Sequence, residues 1–236
     1  MRLVPDTGEN LIELKDITFA YPGRPAIFEN FSFAFPKGAK AGLVGSNGSG
    51  KTTLLQLVMG LIKPQKGEIR LFGEPTKKEA DFRKARIKIG FVFQDANDQL
   101  FCPTVKDDIA FGPLNTGHTR EEADAIVEEV LALLKLSDFR DRITYALSDG
   151  EKKLVSIGTA LAMRPEMLIL DEPTTCLDES AVERVVKVLL DCGLPYLIVA
   201  HDRPFLDRVV TSKYLMANKT VTPMDTKNAI LHQEEQ

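Results

Sequence analysis

A glycine-rich segment followed by lysine and threonine carries the clearest chemical signal in the sequence. Its residues are Gly45-Ser46-Asn47-Gly48-Ser49-Gly50-Lys51-Thr52, with Thr53 directly behind. Glycines let the backbone curl so that successive N–H groups face an anion, and a following helix adds the partial positive charge of its N-terminus. The spacing predicts a nucleotide-binding phosphate loop, in which Lys51 contacts the β- and γ-phosphates and the Thr52 hydroxyl faces Mg²⁺.

A second candidate site is the acidic pair Asp171 and Glu172, which follows the apolar run 167–170. An apolar strand can deliver the carboxylates at its end to the edge of a sheet. Beside a phosphate loop, Asp171 is expected to hold Mg²⁺ through water, and Glu172 to polarise the attacking water as general base. Taken alone, such a pair could equally be a solvated strand end. The presence of Lys51 and Thr52 favours the catalytic interpretation.

An α/β framework would position these groups. The apolar runs 41–44, 167–170 and 196–200 are strand-sized, and continuous apolar strands are typical of a parallel sheet covered on both faces. The first run leads directly into the glycine-rich loop, which predicts a strand, a turn and a helix in succession. Residues 11–35 alternate in places between apolar and polar side chains, which predicts half-buried antiparallel strands.

The middle of the chain predicts helices. Thr119 and Glu122 have the spacing of a capping box, and apolar residues recur behind them at helical intervals. The predicted fold is α/β: a P-loop NTPase core with a mainly parallel sheet, an N-terminal antiparallel β subdomain and an α-helical subdomain insertion. The predicted segments of this single domain, 1–236, are a core at about 11–95 and 166–217, a helical subdomain at about 96–165 and a polar tail at about 218–236.

Composition and charge argue against several classes of protein. The 236 residues carry a formal net charge of −4 with a pI near 5.5, which argues against a general nucleic-acid binder. No apolar run approaches the ~20 residues that span a bilayer, and the N-terminus has no apolar signal-peptide core, so a membrane link is expected to run through a partner. Cys102, Cys176 and Cys192 lack metal-ligand spacing and are expected to be reduced thiols in cytosol.

Taken together and in order, the motifs resemble those of the ABC ATPases over nearly the whole chain. The resemblance places a signature loop at 147–151 and a D-loop at 177–178. The resemblance implies that Tyr21 stacks on adenine, that Gln94 binds Mg²⁺ and takes part in catalysis, and that His201 contacts the γ-phosphate. It also implies that Ser148 and Gly150 contact the γ-phosphate of a partner subunit and that Asp178 contacts the partner.

Several of these positions also have a plain structural interpretation. Tyr21 precedes a Pro-Gly pair and could be a turn aromatic. Gln94 could be an exposed strand end, and His201 follows an apolar strand where a structural histidine is common. Asp178 could cap a helix, alone or in addition to a subunit contact.

A closer resemblance links the chain to the ATPases of energy-coupling-factor importers, above all the cobalt/nickel branch. It rests on residues 91–105, 108–115 and 160–165. The resemblance implies ATP and Mg²⁺ as ligands, a second ABC ATPase subunit in a homodimer or heterodimer, and integral membrane subunits that dock near Gln94 on a surface including 97–112. The chain would then lie peripherally on the cytoplasmic face of the cell membrane. Three alternatives stay open: another ABC importer class, a soluble non-transport ABC ATPase, and a nucleotide-binding regulator without turnover.

Three residues depart from the family pattern. Asp149 and Glu151 replace a glycine and a glutamine of the usual signature, and Cys176 stands where glycine is common. Ser148 followed by Glu151 predicts a second capping box, which accommodates the glutamate. Asp149 places a negative charge where a partner's triphosphate is expected to dock, so we expect a working but weakened signature loop.

Overall fold

The computed structural model describes residues 10–224. Its strands are β1 (Asn10–Phe19), β2 (Phe28–Pro36), β3 (Lys40–Val44), β4 (Lys66–Leu71), β5 (Glu74–Pro75), β6 (Ile89–Val92), β7 (Met167–Asp171), β8 (Tyr196–Val199), β9 (Ser212–Ala217) and β10 (Thr220–Pro223). Its α-helices are α1 (Lys51–Val58), α2 (Glu79–Lys88), α3 (Val105–Asn115), α4 (Arg120–Leu134), α5 (Asp149–Ala162), α6 (Glu179–Asp191) and α7 (Arg203–Val209). The described chain divides into two compact units, residues 10–86 with 210–224 and residues 87–209.

The first unit holds an antiparallel sheet and the strands that lead to the glycine-rich loop. β1 pairs antiparallel with β2 and β4, in the order β2-β1-β4-β5. Alternate side chains of β1 and β2 are buried, among them Ile12, Leu14 and Phe35, which confirms the predicted half-buried antiparallel strands. β3 pairs parallel with β9, and its last residue, Val44, delivers the chain to the loop.

The second unit contains a parallel sheet and a group of helices. β7 pairs parallel with both β6 and β8. The residues of β7 before its terminal Asp171 are at most 1% exposed, as are those of β8 before Val199, which confirms the predicted strands covered on both faces. The run of apolar residues therefore buries the strand and leaves its first polar residue at the carboxyl edge, where ligands of α/β sheets bind.

Helices α3, α4 and α5 pack against one another in the second unit. The Thr119 hydroxyl accepts from the Glu122 amide at 3.2 Å and the Glu122 carboxylate accepts from the Thr119 amide at 2.8 Å, which confirms the predicted capping box at the start of α4. The apolar residues behind it are buried: Ala123, Ile126, Val127, Val130, Leu131 and Leu134. Among residues 10–224, no helix has both the length and the apolar character needed to cross a membrane.

Strand β10 lies in the stretch that the sequence predicts to be a polar tail. It pairs antiparallel with β9 and places Val221 opposite Met216. These two side chains are 4% and 0% exposed, so one apolar residue in a polar sequence adds a strand to β9. Residues 220–223 are therefore a strand, and the remainder of the predicted tail from 225 lies outside the described residues.

Candidate nucleotide site

The glycine-rich loop leads into α1 through backbone conformations that are unfavourable for residues other than glycine. Gly48 and Gly50 have φ angles of +78° and +108°, a region that costs an L-residue energy and costs glycine none. A Cβ at Gly45 would lie 2.4 Å from the Met216 carbonyl oxygen and 2.8 Å from the Ser49 hydroxyl, so that position also requires glycine. The glycines thus permit a tight loop that residues with a Cβ atom at these positions could not form without strain.

The same loop offers donors to an anion. Gly50, the N-cap residue of α1, supplies no side-chain cap, so the first N–H groups of the helix lack the partner that a capping side chain would give. The Lys51 ammonium donates to the carbonyl oxygens of Gly45 and Ser46 at 2.6 and 3.0 Å. The buried Ser49 hydroxyl has no hydrogen-bond partner among the described residues. Backbone donors, a cation and an unsatisfied hydroxyl together suit a polyphosphate group.

Tyr21 lies against the helix that follows the loop. Its hydroxyl donates to the Gln56 side-chain oxygen at 2.8 Å and is 3.5 Å from the Thr53 hydroxyl. Its ring packs edge-on against Phe19, with the ring centroids 4.9 Å apart. The structure therefore joins Tyr21 to the phosphate loop's own helix, and its stacking on adenine stays a prediction.

In the second unit, Glu172 and His201 meet at the carboxyl ends of β7 and β8. Glu172 has a φ of +47°, a strained value for a residue other than glycine, and such strain concentrates at functional sites. Its amide donates to the Val199 carbonyl at 2.8 Å, which fixes the residue against β8. The Glu172 carboxylate lies 3.5 Å from the His201 Nε2 and accepts from the His201 amide at 3.4 Å. The side chain of Glu172 is 13% exposed and that of His201 is 53% exposed, so this pair can be reached from solvent.

The signature loop and the D-loop lie together in this unit. The Ser148 hydroxyl accepts from the Glu151 amide at 3.3 Å and the Glu151 carboxylate accepts from the Ser148 amide at 2.8 Å, which confirms the second capping box. A Cβ at Gly150 would lie 3.4 Å from the Cys176 carbonyl oxygen. A cavity of about 330 Å³ between the two loops is lined by Ser148, Asp149, Gly150, Glu151, Leu154, Cys176, Asp178, Ala181 and Arg184.

Asp178 caps a helix, as one of its two interpretations predicts. Its carboxylate accepts from the Ala181 amide at 2.7 Å at the start of α6. Its contact with a second subunit stays a prediction. Gln94 is exposed two residues after the end of β6, and its backbone carbonyl oxygen accepts a hydrogen bond from the ammonium of Lys153.

Similarity to known proteins shows the family of the chain. The sequence model described as ABC transporter matches residues 28–175. The chain belongs to the ABC transporter ATPases. It is an ATP-binding, ATP-hydrolysing protein of that family, and the predicted fold class, a P-loop NTPase with mixed α/β sheets, is confirmed by the solved relatives.

Individual relatives of this ABC ATPase include energy-coupling-factor and cobalt proteins. The energy-coupling factor transporter ATP-binding protein EcfA of Methanocaldococcus jannaschii is 36% identical over 229 residues, 95% of this chain and 82% of that protein. The cobalt import ATP-binding protein CbiO of Rhodobacter capsulatus is 42% identical over 196 residues, 81% and 70% of the two chains. The structure of CbiO1 from Clostridium perfringens, part of the transporter complex CbiONQ, superposes with a TM-score of 0.82 at 30% identity, covering 91% of this chain and 87% of that one.

Lys153 and Gln99 of this ABC ATPase belong to none of the sequence motifs, yet both are bonded to the loop of Gln94. The Lys153 side chain is buried and donates to two carbonyl oxygens, and Gln99 bonds the same loop to α5. Burial lowers the pKa of the Lys153 ammonium, against the opposing effect of Asp171 and other acidic groups. One signal was available in the sequence: Lys153 lies at helical spacing from Ile157 and Ala160, whose apolar side chains predict a buried face where a charged residue is unexpected.

The backbone at Cys176 explains why glycine is common there and gives a stability prediction. Cys176 has a φ of +66°, which costs a non-glycine residue roughly 1–2 kcal/mol, while glycine loses only about 0.5–1 kcal/mol more backbone entropy on folding. We expect Cys176→Gly to stabilise the ABC ATPase by about 0.5–1 kcal/mol, raising the melting temperature by a few degrees. Differential scanning calorimetry measures this. Cys192→Gly is the matched control, since Cys192 has a φ of −66° and glycine there should lower the melting temperature; a drop for both variants would contradict the explanation.

Proposed function

We propose that this chain is the ATP-hydrolysing subunit of an energy-coupling-factor importer for cobalt or nickel ions, which energises transport through ATP-driven dimer closure. The observation that carries the proposal is the pairing of strained Glu172 with His201 at the carboxyl ends of β7 and β8, in a chain whose relatives include EcfA and CbiO. A strained acid held beside a histidine fits hydrolysis better than passive nucleotide binding.

The residues for ATP and Mg²⁺ follow from the donor types present. The loop 45–53 would hold the phosphates, with Lys51 as the cation and Tyr21 stacking on the base. Thr52, Gln94 and Asp171 supply hydroxyl, amide and carboxylate oxygens, the hard ligands that Mg²⁺ prefers. Mg²⁺ would neutralise charge on the phosphates, and these residues would orient it.

Catalysis then depends on the second unit. Glu172 would accept a proton from the attacking water, and His201, 3.5 Å away, would contact the γ-phosphate and keep the carboxylate in place. The positive φ of Glu172 directs its side chain away from the path of the strand, and the bond to the Val199 carbonyl holds that conformation. Gln94 would help to align the water.

A second ATPase subunit completes the proposed site. Ser148 and Gly150 would donate to the γ-phosphate bound by the partner, and Asp178 would contact the partner's phosphate loop. The Ser148 side chain and the N-terminus of α5 form one wall of the cavity, where an anion is favoured by the helix. ATP held between two subunits would close the dimer, and hydrolysis would reopen it.

Membrane subunits would dock on exposed aromatic residues near Gln94. Phe101 and Phe111 are 66% and 46% exposed, with ring centroids 4.7 Å apart at an interplanar angle of 88°. Phe111 lies on α3, and the buried Asp108 carboxylate of the same helix fixes the loop of Phe101 by accepting from the amides of Phe101 and Cys102 at 3.0 and 2.9 Å. An exposed pair of large rings on a rigid base suits a partner's amphipathic helix. The chain would accordingly lie at the cytoplasmic face of the cell membrane.

The test is purification of the chain with its native membrane partners, followed by uptake of radioactive cobalt and nickel into vesicles that contain the complex. Co-purification of integral membrane proteins and ATP-dependent uptake of either ion support the proposal. Uptake of a different substrate would indicate another ABC importer class. Purification without any membrane protein, together with ATPase activity, would favour a soluble ABC ATPase and contradict the transport role.

Asp149 gives a prediction about the strength of the proposed dimer. It is exposed at the first position of α5 and lines the cavity beside Ser148. Two like charges about 4–6 Å apart at a protein surface repel by a few kcal/mol before screening, and far less in salt. We expect Asp149→Gly to strengthen ATP-driven dimerisation and to raise the hydrolysis rate several-fold, more at low ionic strength than at high.

Two further variants separate the effect of charge from that of helix stability. Asp149→Asn removes the charge and keeps a residue of similar shape, and Asp191→Asn removes one exposed charge at the far end of α6. The repulsion argument requires a salt-dependent gain for both Asp149 variants and none for Asp191→Asn, in hydrolysis rates measured against ionic strength. Equal stability in a melting curve with no gain at any salt concentration would contradict it.

A further inference from the structure

A single buried side chain connects the signature helix to the loop of Gln94. Lys153 lies in the second turn of α5 and is 3% exposed. Its ammonium donates to the Phe93 carbonyl oxygen at 2.9 Å and to the Gln94 carbonyl oxygen at 2.5 Å. These carbonyl groups directly follow β6, whereas α5 begins at the signature loop. Lys153 therefore bonds the helix that begins at the signature loop to the loop of Gln94, 59 residues away in sequence.

Neighbouring contacts extend this connection along one face of α5. The Gln99 side chain accepts from the Phe93 amide at 3.1 Å and donates to the Ser156 carbonyl oxygen at 2.8 Å and the Thr159 hydroxyl at 2.7 Å. The segment from Phe93 to Gln99 is thus bonded to the helix at positions 153, 156 and 159, which follow one another at three-residue intervals along its surface. The loop and the helix are joined by several directional bonds, so they are expected to move together.

Folding alone does not require a lysine at position 153. Burying an ammonium group costs free energy unless it is paired and hydrogen-bonded, and a methionine of similar length would avoid that cost but leave the two carbonyl oxygens without this donor. What lysine adds is directed bonding to two specific carbonyl groups, with acidic Asp95, Asp171 and Glu172 near enough to favour its charge. The ammonium group therefore serves to fix the position of the Gln94 loop more than to stabilise the fold.

We propose that Lys153 is a positioning residue that makes the loop of Gln94 and the signature loop move as one body. When a docked membrane subunit or nucleotide displaces the Gln94 loop, the first turns of α5 move with it and shift Ser148 and Gly150. The inference rests on the proposed function, because it assigns the signature loop its role towards a second subunit. Lys153 itself touches neither nucleotide nor water in this scheme.

The experiment compares Lys153→Met, Lys153→Arg and Lys152→Met in the full chain. Lys152 is the control for an exposed contact to the same segment: it is the adjacent lysine, is partly exposed, and its ammonium donates to the exposed side chain of Asn97 at 2.9 Å, where water can replace it. The measurements are the MgATP dissociation constant of the monomer, kcat for ATP hydrolysis, and ATP-dependent dimerisation of each variant in a Glu172→Gln background. A melting curve records folding of each protein.

We expect Lys153→Met to lower kcat by about tenfold and to weaken ATP-dependent dimerisation similarly, since two hydrogen bonds from a charged donor are lost. The MgATP dissociation constant should stay within about twofold, because the phosphate loop is untouched. Lys153→Arg, which keeps charged donors, should recover most of the rate, and Lys152→Met should resemble the wild type.

Two outcomes would overturn the inference. The first is wild-type kcat and dimerisation for a folded Lys153→Met protein. The second is a loss of nucleotide affinity in proportion to kcat with no recovery by arginine, which is the behaviour of a purely structural residue. If Lys153→Met does not fold, Lys153→Gln, which keeps a neutral donor, takes its place with the same criteria. Failure of the purified complex to take up cobalt or nickel would instead contradict the proposed function, so the two failures are distinguishable.

Discussion

The Glu172→Gln protein is expected to bind ATP with near wild-type affinity and to hydrolyse it roughly 10²–10⁴ times more slowly, the range attributed to one general base. The amide has the shape of the carboxylate and the same reach to His201 Nε2, which is 3.5 Å from Glu172 in the wild type. It cannot accept a proton from water. ATP bound between two subunits would then persist, and size-exclusion chromatography with ATP should show a stable dimer that reverts to monomer when the nucleotide is removed.

Glu166→Gln is the matched control for this variant. Glu166 lies just before β7 in the same unit, is half-exposed and pairs with Lys88 at 2.9 Å, so its replacement changes charge without touching the site. We expect that protein to retain wild-type turnover and no ATP-stable dimer. Turnover at the wild-type rate by Glu172→Gln would exclude Glu172 as the base. A slow variant that binds ATP and stays monomeric would keep Glu172 as base and contradict the sandwiched dimer.

The Lys51→Ala protein is expected to lose MgATP affinity by at least about tenfold, and by about a hundredfold if both phosphate contacts of the ammonium are direct. The Lys51 side chain is 8% exposed, and its ammonium is held over the loop by the carbonyl groups of Gly45 and Ser46 at 2.6 and 3.0 Å. A phosphate in that loop would lose its direct cationic partner. Isothermal titration calorimetry with a slowly hydrolysed ATP analogue measures the change.

Lys51→Arg and Lys66→Ala complete this comparison. Arginine keeps the charge but presents a larger planar group in a loop where Gly45 leaves no space, so affinity should recover only in part. Lys66 is exposed at the start of β4 and should be replaceable without effect. Undiminished affinity in Lys51→Ala would contradict the phosphate-loop assignment. Equal losses in Lys51→Ala and Lys66→Ala would point to a general effect of charge.

Much of the framework could be predicted from local patterns. The apolar run of β7 could only be covered on both faces, and the alternating residues of β1 and β2 only on one, so the two kinds of sheet follow from composition along each strand. The capping boxes at Thr119 and Ser148 depend on contacts within one helical turn, which sequence spacing fixes directly. Their local character is the reason that they were predictable.

The tail and the cysteine at position 176 show where local patterns fail. β10 forms because Val221 pairs with Met216 on β9. The polar sequence after 218 does not predict this contact between neighbouring strands. The left-handed conformation of Cys176 lies in a turn that the Leu177 amide closes by donating to the Thr174 carbonyl oxygen at 3.2 Å, and the sequence lacks the glycine that would signal such a turn. In the first case the deciding interaction is with another strand, and in the second the residue type that would signal the turn is absent.

The sequence by itself determined membership of the ABC ATPases, and it predicted the phosphate loop at Lys51 and the acidic pair at the end of β7. These features depend on residue types at fixed spacing along the chain, and those residue types determine the local curvature of the backbone. Only the tertiary structure decided that Glu172 is strained and lies beside His201, and that Lys153 joins the signature helix to the loop of Gln94. Those facts depend on side chains from distant segments meeting inside one packed unit, where the geometry of each contact is set by all the elements around it.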